Sequence, residues 1–255
     1  MDIYAHRGSS GTHPENTLAA FQHAAKLPIQ GVEFDVHLTK DGELVVIHDE
    51  KINRTSTGKG FIKDLTLEEL RTYDFGSWFS QEFKGEKLPL LSEVLQVFSD
   101  KIHRINIELK TDVIAYEGIV EKTLELVESM GLESRIVISS FNHDTLREVK
   151  RLAPHIETAT LSMKEFANPF EYVHTIPADA LHLSLRTARR PSTAKVIRQG
   201  VPVRVFTVNQ IKHLAPLKHI GVEAIFTDFP ENMLTYLESN KFKQSILRLF
   251  KKRKS

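Results

Sequence analysis

The sequence predicts an α/β protein whose strands run parallel and are joined by crossover helices, on three observations. Apolar runs of strand length recur along the whole chain, helical patterns fall between most of them, and neither an internal repeat nor, before the tail, a low-complexity segment interrupts the alternation. Parallel neighbours need a long connection, which a helix supplies and a tight hairpin cannot. At 255 residues the chain can bury an ample core, as one large barrel or open sheet or as two small domains.

Taken in order, "DIYAHR" is the first strand stretch, and a helix follows over residues 15–26. Pro14 and Asn16 supply its entry, and Leu18, Phe21 and Ala25 form its apolar stripe. "GVEFDVHL" and "ELVVIHD" are the next two strand stretches. From about residue 50 to 101 the rhythm breaks, with turn-prone Gly58, Gly60, Gly76 and Gly85 and helical pieces only at 66–72 and 91–98. This stretch is too poor in apolar periodicity to build its own core and reads as an insertion over one face. "RINIELK" then precedes a helix over 115–130 stopped by Gly131, and "RIVISSF" precedes one over 144–152. "ETATLS" and "ALHLSL" lead to a helix over 192–199 stopped by Gly200. "VPVRVFTV", a helix over 211–218, "EAIFTDF" and a helix over 230–238 complete the series.

Composition narrows the chemistry. There is no cysteine, which excludes disulfides and thiolate metal sites, so a metal would have to be held by oxygen or imidazole. No run of 18 apolar residues could cross a bilayer, and no apolar leader precedes the first strand, so a cytoplasmic location is expected. Net charge is +1, but the last fifteen residues carry seven positive side chains and no acid, which leaves residues 1–240 at −6. In that tail, 241–255, Phe242, Ile246, Leu249 and Phe250 lie close to one helical face, a pattern suited either to peripheral contact with an anionic membrane or to a solvated terminus. The acidic body argues against nucleic acid as a partner.

Candidate site residues gather at strand ends. In "VEFDVHL" the alternation puts Glu33, Asp35 and His37 on one face and Val32, Phe34, Val36 and Leu38 on the other. The apolar face suits a helix layer, so the acids point inward. "INIELKT" repeats the pattern with Asn106, Glu108 and Lys110. Three inward carboxylates describe an oxygen-ligand site for Ca²⁺ or Mg²⁺, with zinc a weaker fit. Pairing of the same acids with Arg7 and Lys110 is the plainer alternative. His6 and His48 each end an apolar strand, as an acid–base pair requires, and Arg7 can grip a phosphate or carboxylate with two hydrogen bonds. His37 and His182 read as core or pocket-wall residues. For Phe75, Trp78 and Phe79, packing within the insertion outweighs substrate contact. "RTSTGKG" lacks phosphate-loop spacing and reads as a turn anchored by its arginine.

The runs "AHRG…PENT…AF", "EFDV.LTKDG..VV.HD", "RT..G.G" and "IELK", in this order, resemble the glycerophosphodiester phosphodiesterase family, and "LPLLSEVL", "ISSF", "VFTVN" and "TDFP" fit as well. The likeness covers residues 2–238. It implies a TIM-type (β/α)₈ barrel with a small insertion after the second strand region, one domain over 1–240, and a site at the carboxyl ends of the strands. With nine strand stretches for eight barrel positions, "ELVVIHD" is expected to extend the second-strand region and return towards the site. The resemblance makes His6 and His48 the catalytic pair, Glu33, Asp35 and Glu108 the metal ligands, and Arg7 and Lys110 the phosphate-binding cations. It implies metal-dependent hydrolysis of glycerophosphodiesters to sn-glycerol 3-phosphate and an alcohol. In related two-histidine barrels a neighbouring hydroxyl of the substrate attacks first, and water then opens the cyclic phosphate. Many members carry Trp where Phe206 stands, so this substrate-contact position lacks an indole donor. A lysophospholipase-D-like activity on lysolipids and a barrel that binds such ligands without turnover are the alternatives.

Overall fold

The computed structural model describes residues 1–100, 104–164 and 169–239. Strands form at all nine expected stretches: β1 (Asp2–His6), β2 (Gly31–Leu38), β3 (Leu44–Val46), β4 (Arg104–Leu109), β5 (Ile136–Ser140), β6 (Glu157–Ser162), β7 (Ala180–Ser184), β8 (Val203–Phe206) and β9 (Ala224–Thr227). Eight of them run parallel in the order β1-β9-β8-β7-β6-β5-β4-β2, and β1 pairs with β2 to close a (β/α)₈ barrel of the TIM type. The ninth, β3, is antiparallel to β2, with Val36 opposite Val46 and Leu38 opposite Leu44. β1 stops opposite Glu33, so the outer part of β2 would expose a free edge. β3 covers that edge and carries the chain back towards the barrel mouth.

Helices connect the strands: α1 (Leu18–Ala24), α2 (Leu67–Arg71), α3 (Leu91–Val97), α4 (Ile119–Ser129), α5 (His143–Leu152), α6 (Pro169–Thr175), α7 (Leu185–Ala188), α8 (Pro191–Arg198) and α9 (Leu214–Ile220). Residues 230–239 are helical too. The short α6 and α7 are additions to the expected set. At the end of α4 the left-handed Gly131 (φ 66°) lets its own amide and that of Leu132 reach back to the carbonyls of Glu128 and Val127, which is the stop its sequence position implied. The start of α1 differs from expectation. Thr17 is its cap, with Oγ1 accepting from the Ala20 amide, while Asn16 is left-handed (φ 57°) and turns to the site.

Packing follows the alternation along each strand. Outward residues such as Ile3, Phe34, Ile107, Ile138, Leu183 and Val205 meet the helices in one continuous core. Inside the barrel, small residues of β5, β6 and β7 (Val137, Ala159, Ala180) form one cluster, and Tyr4 packs with Ala224 and Phe226 in another. At the amino-terminal end the buried Arg204 guanidinium of β8 joins Glu157 of β6 and Glu223, just before β9.

The inserted segment departs from expectation in one respect. Ile52, Ile62, Leu70, Phe75 and Leu88 do form a small core of their own, together with Val45 and Ile47. Their spacing is irregular, so no period announced them, and the turns alone bring them together. α3 lies within the same stretch but packs into the main core through Leu91, Val94 and Leu95. Trp78 and Phe79 contact each other edge to face at 5.7 Å, and the Trp78 indole donates to the Phe75 carbonyl at 2.9 Å. No helix among the described residues is long and apolar enough to cross a membrane. The basic tail 241–255, with its expected membrane contact, lies outside the described residues.

Candidate active site

β1 delivers His6 to the barrel mouth, and the next residues turn sharply: Arg7 (φ 54°) and Gly8 (φ 78°) are both left-handed. A Cβ on Gly8 would lie 2.8 Å from the Ala20 carbonyl carbon in α1. Gly8→Ala is therefore expected to cost more than about 1 kcal/mol of stability, read as a lower thermal midpoint, since backbone strain and overlap with the helix add. The turn brings the Arg7 amide to the Glu33 carbonyl (2.9 Å) and to its Oε2 (3.1 Å). His6 Nδ1 lies 2.6 Å from Asp228 Oδ1, just beyond β9. Asp228 also accepts from Ser10 Oγ (3.1 Å) and Asn209 Nδ2 (2.5 Å). A carboxylate can only accept there, so Nδ1 carries the proton and Nε2 is the ring atom left for chemistry.

β2 and β4 lie side by side with Asp35 opposite Glu108, and Glu33 stands one inward position below Asp35. One oxygen from each of Glu33, Asp35 and Glu108 falls within 4.8 Å of the others, and all three residues are buried. Burial and the charges of Asp35 and Glu108 push the Glu33 carboxyl well above its ordinary range. Burial and the Asp35 charge likewise raise Glu108 to about 7, against the pull of Lys110. Asp35 goes the other way: burial opposes its ionisation, but Arg7, His48 and Lys110 together hold it well below the usual carboxylate value. Arg7 Nε is 3.3 Å from Asp35 Oδ2, Asn16 Nδ2 donates to the same oxygen at 3.0 Å, and Asp35 Oδ1 has no hydrogen-bond partner. Lys110 donates to Glu108 Oε1 at 3.0 Å.

Carboxylates crowded this closely, two of them strained towards protonation and one with an unpaired buried oxygen, suit a cation better than each other. The donor set is oxygen alone, which suits a hard divalent ion. Arg7 and Lys110 offset part of the negative charge, so the pairing alternative weighed from the sequence coexists with the cluster rather than replacing it.

His48 follows two residues after β3. Its main-chain carbonyl lies 3.1 Å from His37 Nε2, whose other ring nitrogen meets the Tyr116 hydroxyl at 2.9 Å. His37 is thus a core residue that also holds the His48 backbone, and burial lowers its pKa to about 4, so it stays neutral. The His48 ring meets Asp49 Oδ1 through Nδ1 at 2.7 Å, repeating the His6–Asp228 arrangement. Arg54 from the insertion clamps the far side. It donates to Asp49 Oδ2 (2.8 Å) and Oδ1 (3.0 Å), and to both oxygens of Glu15 (2.7 and 2.8 Å), which in turn accepts from Arg7 at 2.9 Å. An unbroken chain of hydrogen-bonded side chains therefore runs from His48 to Arg7.

Although burial works to raise it, Arg54 and His48 hold Asp49 at about 2. A carboxyl so depressed stabilises the fold above its unfolded value of about 3.9 and gives up that stability only as pH falls through about 2. The clamp accordingly stays ionised throughout the range in which histidines titrate. Arg54→Ala is expected to lower kcat about 10-fold with little change in KM, the size seen when a group that orients a reactive ligand is removed. Stability should fall by less than about 1 kcal/mol, since the arginine is largely exposed. Steady-state kinetics and thermal unfolding separate the two effects.

His6, Arg7, Glu33, His48, Glu108 and Phe206 line one cavity of about 280 Å³, together with the apolar Phe141, Leu161, Met163 and Phe226. Asp35 and Lys110 are not among its lining residues; Asp35 meets the lining through its cluster with Glu33 and Glu108, and Lys110 through Glu108 Oε1. Phe75, Trp78 and Phe79 are not among its lining residues. A groove of about 300 Å³ between α4 and α5 contains none of these groups, so volume alone does not locate the site. The residues that sequence reasoning overlooked are the partners: Glu15, Asn16, Asp49, Arg54, Asn209 and Asp228. Asp49 beside His48, and Glu15 and Asn16 in "PENT", were visible signals; the role of Asp228 depends on barrel closure.

The sequence profile of the glycerophosphoryl diester phosphodiesterase family matches residues 6–232. A glycerophosphodiester phosphodiesterase of Bacillus altitudinis is 43% identical over 243 residues, spanning 94% of this chain and 99% of its own. One from Caldanaerobacter subterraneus subsp. tengcongensis is 40% identical, spanning 91% and 96%. Among solved structures, an Oleispira antarctica phosphodiesterase in complex with the product sn-glycerol-3-phosphate superposes with a TM-score of 0.84 at 31% identity, covering 93% of this chain and 97% of its own.

Proposed function

We infer the reaction from one premise: the chain belongs to the glycerophosphoryl diester phosphodiesterase family. It is a phosphoric diester hydrolase, and it cleaves glycerophosphodiesters to sn-glycerol 3-phosphate and an alcohol. The observation that supports a mechanism is the convergence on one cavity of two imidazoles, each backed by a carboxylate, beside three buried acids.

In this reading Glu33, Asp35 and Glu108 hold a divalent cation, Ca²⁺ or Mg²⁺. When bound, it supplies positive charge to the phosphoryl oxygens as negative charge builds on them. Arg7, at the cavity wall, binds the phosphate, and Lys110, hydrogen-bonded to Glu108, adds positive charge beside it. His6 Nε2 takes the proton of the substrate's neighbouring hydroxyl as that oxygen bonds to phosphorus, while His48 Nε2–H protonates the departing alcohol oxygen as its bond breaks. In the second half His48 takes a proton from water as the water oxygen bonds to phosphorus, and His6 returns its proton to the ring-opening oxygen. Asp228 and Asp49 keep both reactive nitrogens turned to the cavity and stabilise each ring when it is charged.

The test is release of sn-glycerol 3-phosphate from a panel of glycerophosphodiesters, with and without chelator. Release across several head groups, abolished by chelation, is expected; no release from any of them with Ca²⁺ or Mg²⁺ present would overturn the reading. The apolar lining of Phe141, Leu161, Met163, Phe206 and Phe226 favours a second substrate class, lysolipids with one acyl chain. Parallel assays of glycerophosphocholine and lysophosphatidylcholine distinguish the two.

A further inference from the structure

Positive charge on the body of the protein is concentrated in one sector of the barrel wall. Residues 180–222, which supply β7, α7, α8, β8 and α9, contain eight Lys and Arg side chains and no acid, although residues 1–240 as a whole stand at −6. One of the eight, Arg204, is buried against Glu157 and Glu223. The other seven are exposed. Two of these, Arg189 at the end of α7 and Lys212 in the turn after β8, line one groove of about 300 Å³ with His213, Leu185, Pro216 and Leu217. Burial, followed by the charges of Lys212 and Arg189, lowers the His213 pKa, and no acid offsets them. Cations held together without a counter-charge repel, and an anion placed between them relieves that repulsion.

The groove lies at the barrel mouth. Strands β6, β7 and β8 run parallel with β9 and β1, so the residues that follow them emerge at the end of the barrel that carries His6. Two of the large apolar side chains exposed on the molecule stand on this rim. Ile211, 39% exposed, precedes Lys212, and Met163, 69% exposed, follows β6 directly. The Met163 carbonyl accepts from Thr187 Oγ1 of α7 at 3.0 Å, and Met163 also lines the catalytic cavity. From the cavity outward the rim thus presents an apolar tip and then cations around a groove. Apolar tips that enter a headgroup layer beside cations that meet lipid phosphates suit an anionic membrane surface, whereas a nucleic acid would engage the cations and leave Met163 and Ile211 without a partner.

We propose that the rim after β6, β7 and β8, with Met163 and Ile211 as apolar tips and Arg189 and Lys212 flanking the groove, is a docking surface for an anionic phospholipid membrane, with a lipid phosphate taken between the two cations. This surface is built from residues separate from the basic tail 241–255. It meets the membrane with the end of the barrel that carries the catalytic cavity, so docking presents the cavity mouth to substrates held in the lipid. That consequence rests on the hydrolase reading given above, whereas the docking itself does not.

The experiment sediments the full-length protein with vesicles of phosphatidylcholine alone and with vesicles of an equal mixture of phosphatidylcholine and phosphatidylglycerol, at physiological ionic strength. Binding to the mixed vesicles is expected to be about 10-fold or more tighter than to the neutral ones. The paired variant Arg189→Gln, Lys212→Gln is expected to weaken it about 20-fold, at roughly 5-fold for each cation brought to the surface, and Ile211→Ser about 3-fold or more. All three positions are exposed, so the variants should keep the native thermal midpoint, which shows that they fold. Equal binding to both kinds of vesicle would overturn the proposal, as would native binding by the paired variant, which would leave the tail as the contact. An oligonucleotide held more tightly than the mixed vesicles, and lost in the same paired variant, would overturn it too. Vesicle binding is read without turnover, so its failure leaves the hydrolase reading standing, and loss of turnover with vesicle binding intact sinks that reading alone.

Discussion

Replacing His6 with alanine is expected to lower kcat by about 10²–10⁴-fold while KM stays within a few-fold of the native value. The range is that of a positioned general acid or base, and the groups proposed to bind the phosphate are left in place. His48→Ala should fall in the same range. The double variant should lose far less than the product of the two effects, because in the proposed mechanism the two groups serve one proton-transfer cycle. Asp228→Asn is the informative companion. The amide can present its oxygen or its NH₂ to His6 Nδ1, and in the second case Nε2 becomes the protonated nitrogen and the base is lost. Its kcat should fall without the loss of stability expected of a core substitution, because Asp228 is at the barrel mouth. If His6→Ala retained more than a tenth of native kcat, the assignment of His6 to proton transfer would be wrong.

Removing the metal should abolish turnover and also lower the thermal midpoint, and the second effect reads the site without relying on activity. A ligand present at 100 times its dissociation constant stabilises the native state by about 2.7 kcal/mol. In a protein of this size that corresponds to a rise of roughly 5–10 °C between chelated and saturated protein. Glu33→Gln should eliminate most of this rise. The metal-free variant should unfold close to the metal-free native protein, because burial and the charges of Asp35 and Glu108 oppose ionisation of the native Glu33 carboxyl. Calorimetry with and without Ca²⁺ or Mg²⁺ checks both statements. An equal thermal rise in the native and Glu33→Gln proteins would place the ion elsewhere.

Much of this architecture could be read before any coordinates. All nine strand stretches appear where the alternation placed them, and Gly131 stops α4 as its position implied. Glu33, Asp35 and Glu108 point inward because a strand turns successive side chains to opposite faces, a local property that pattern reveals. The insertion was harder. Its core residues Ile52, Ile62, Leu70 and Phe75 have no common period, since turns rather than a regular element assemble them. Asn16, expected with Pro14 at the helix entry, leaves the cap to Thr17, so its side-chain amide is free for Asp35.

The sequence by itself determined the alternating α/β pattern, the inward acids, and the two histidines at strand ends, because each is written in neighbouring residues. Tertiary structure alone decided how those histidines are held. His6 meets Asp228 across 222 residues of chain only because β1 pairs with β9, and His48 is tied to Glu15 only because Arg54 folds back from the insertion. Such contacts arise from barrel closure and loop packing, and the spacing of nearby residues carries no record of either.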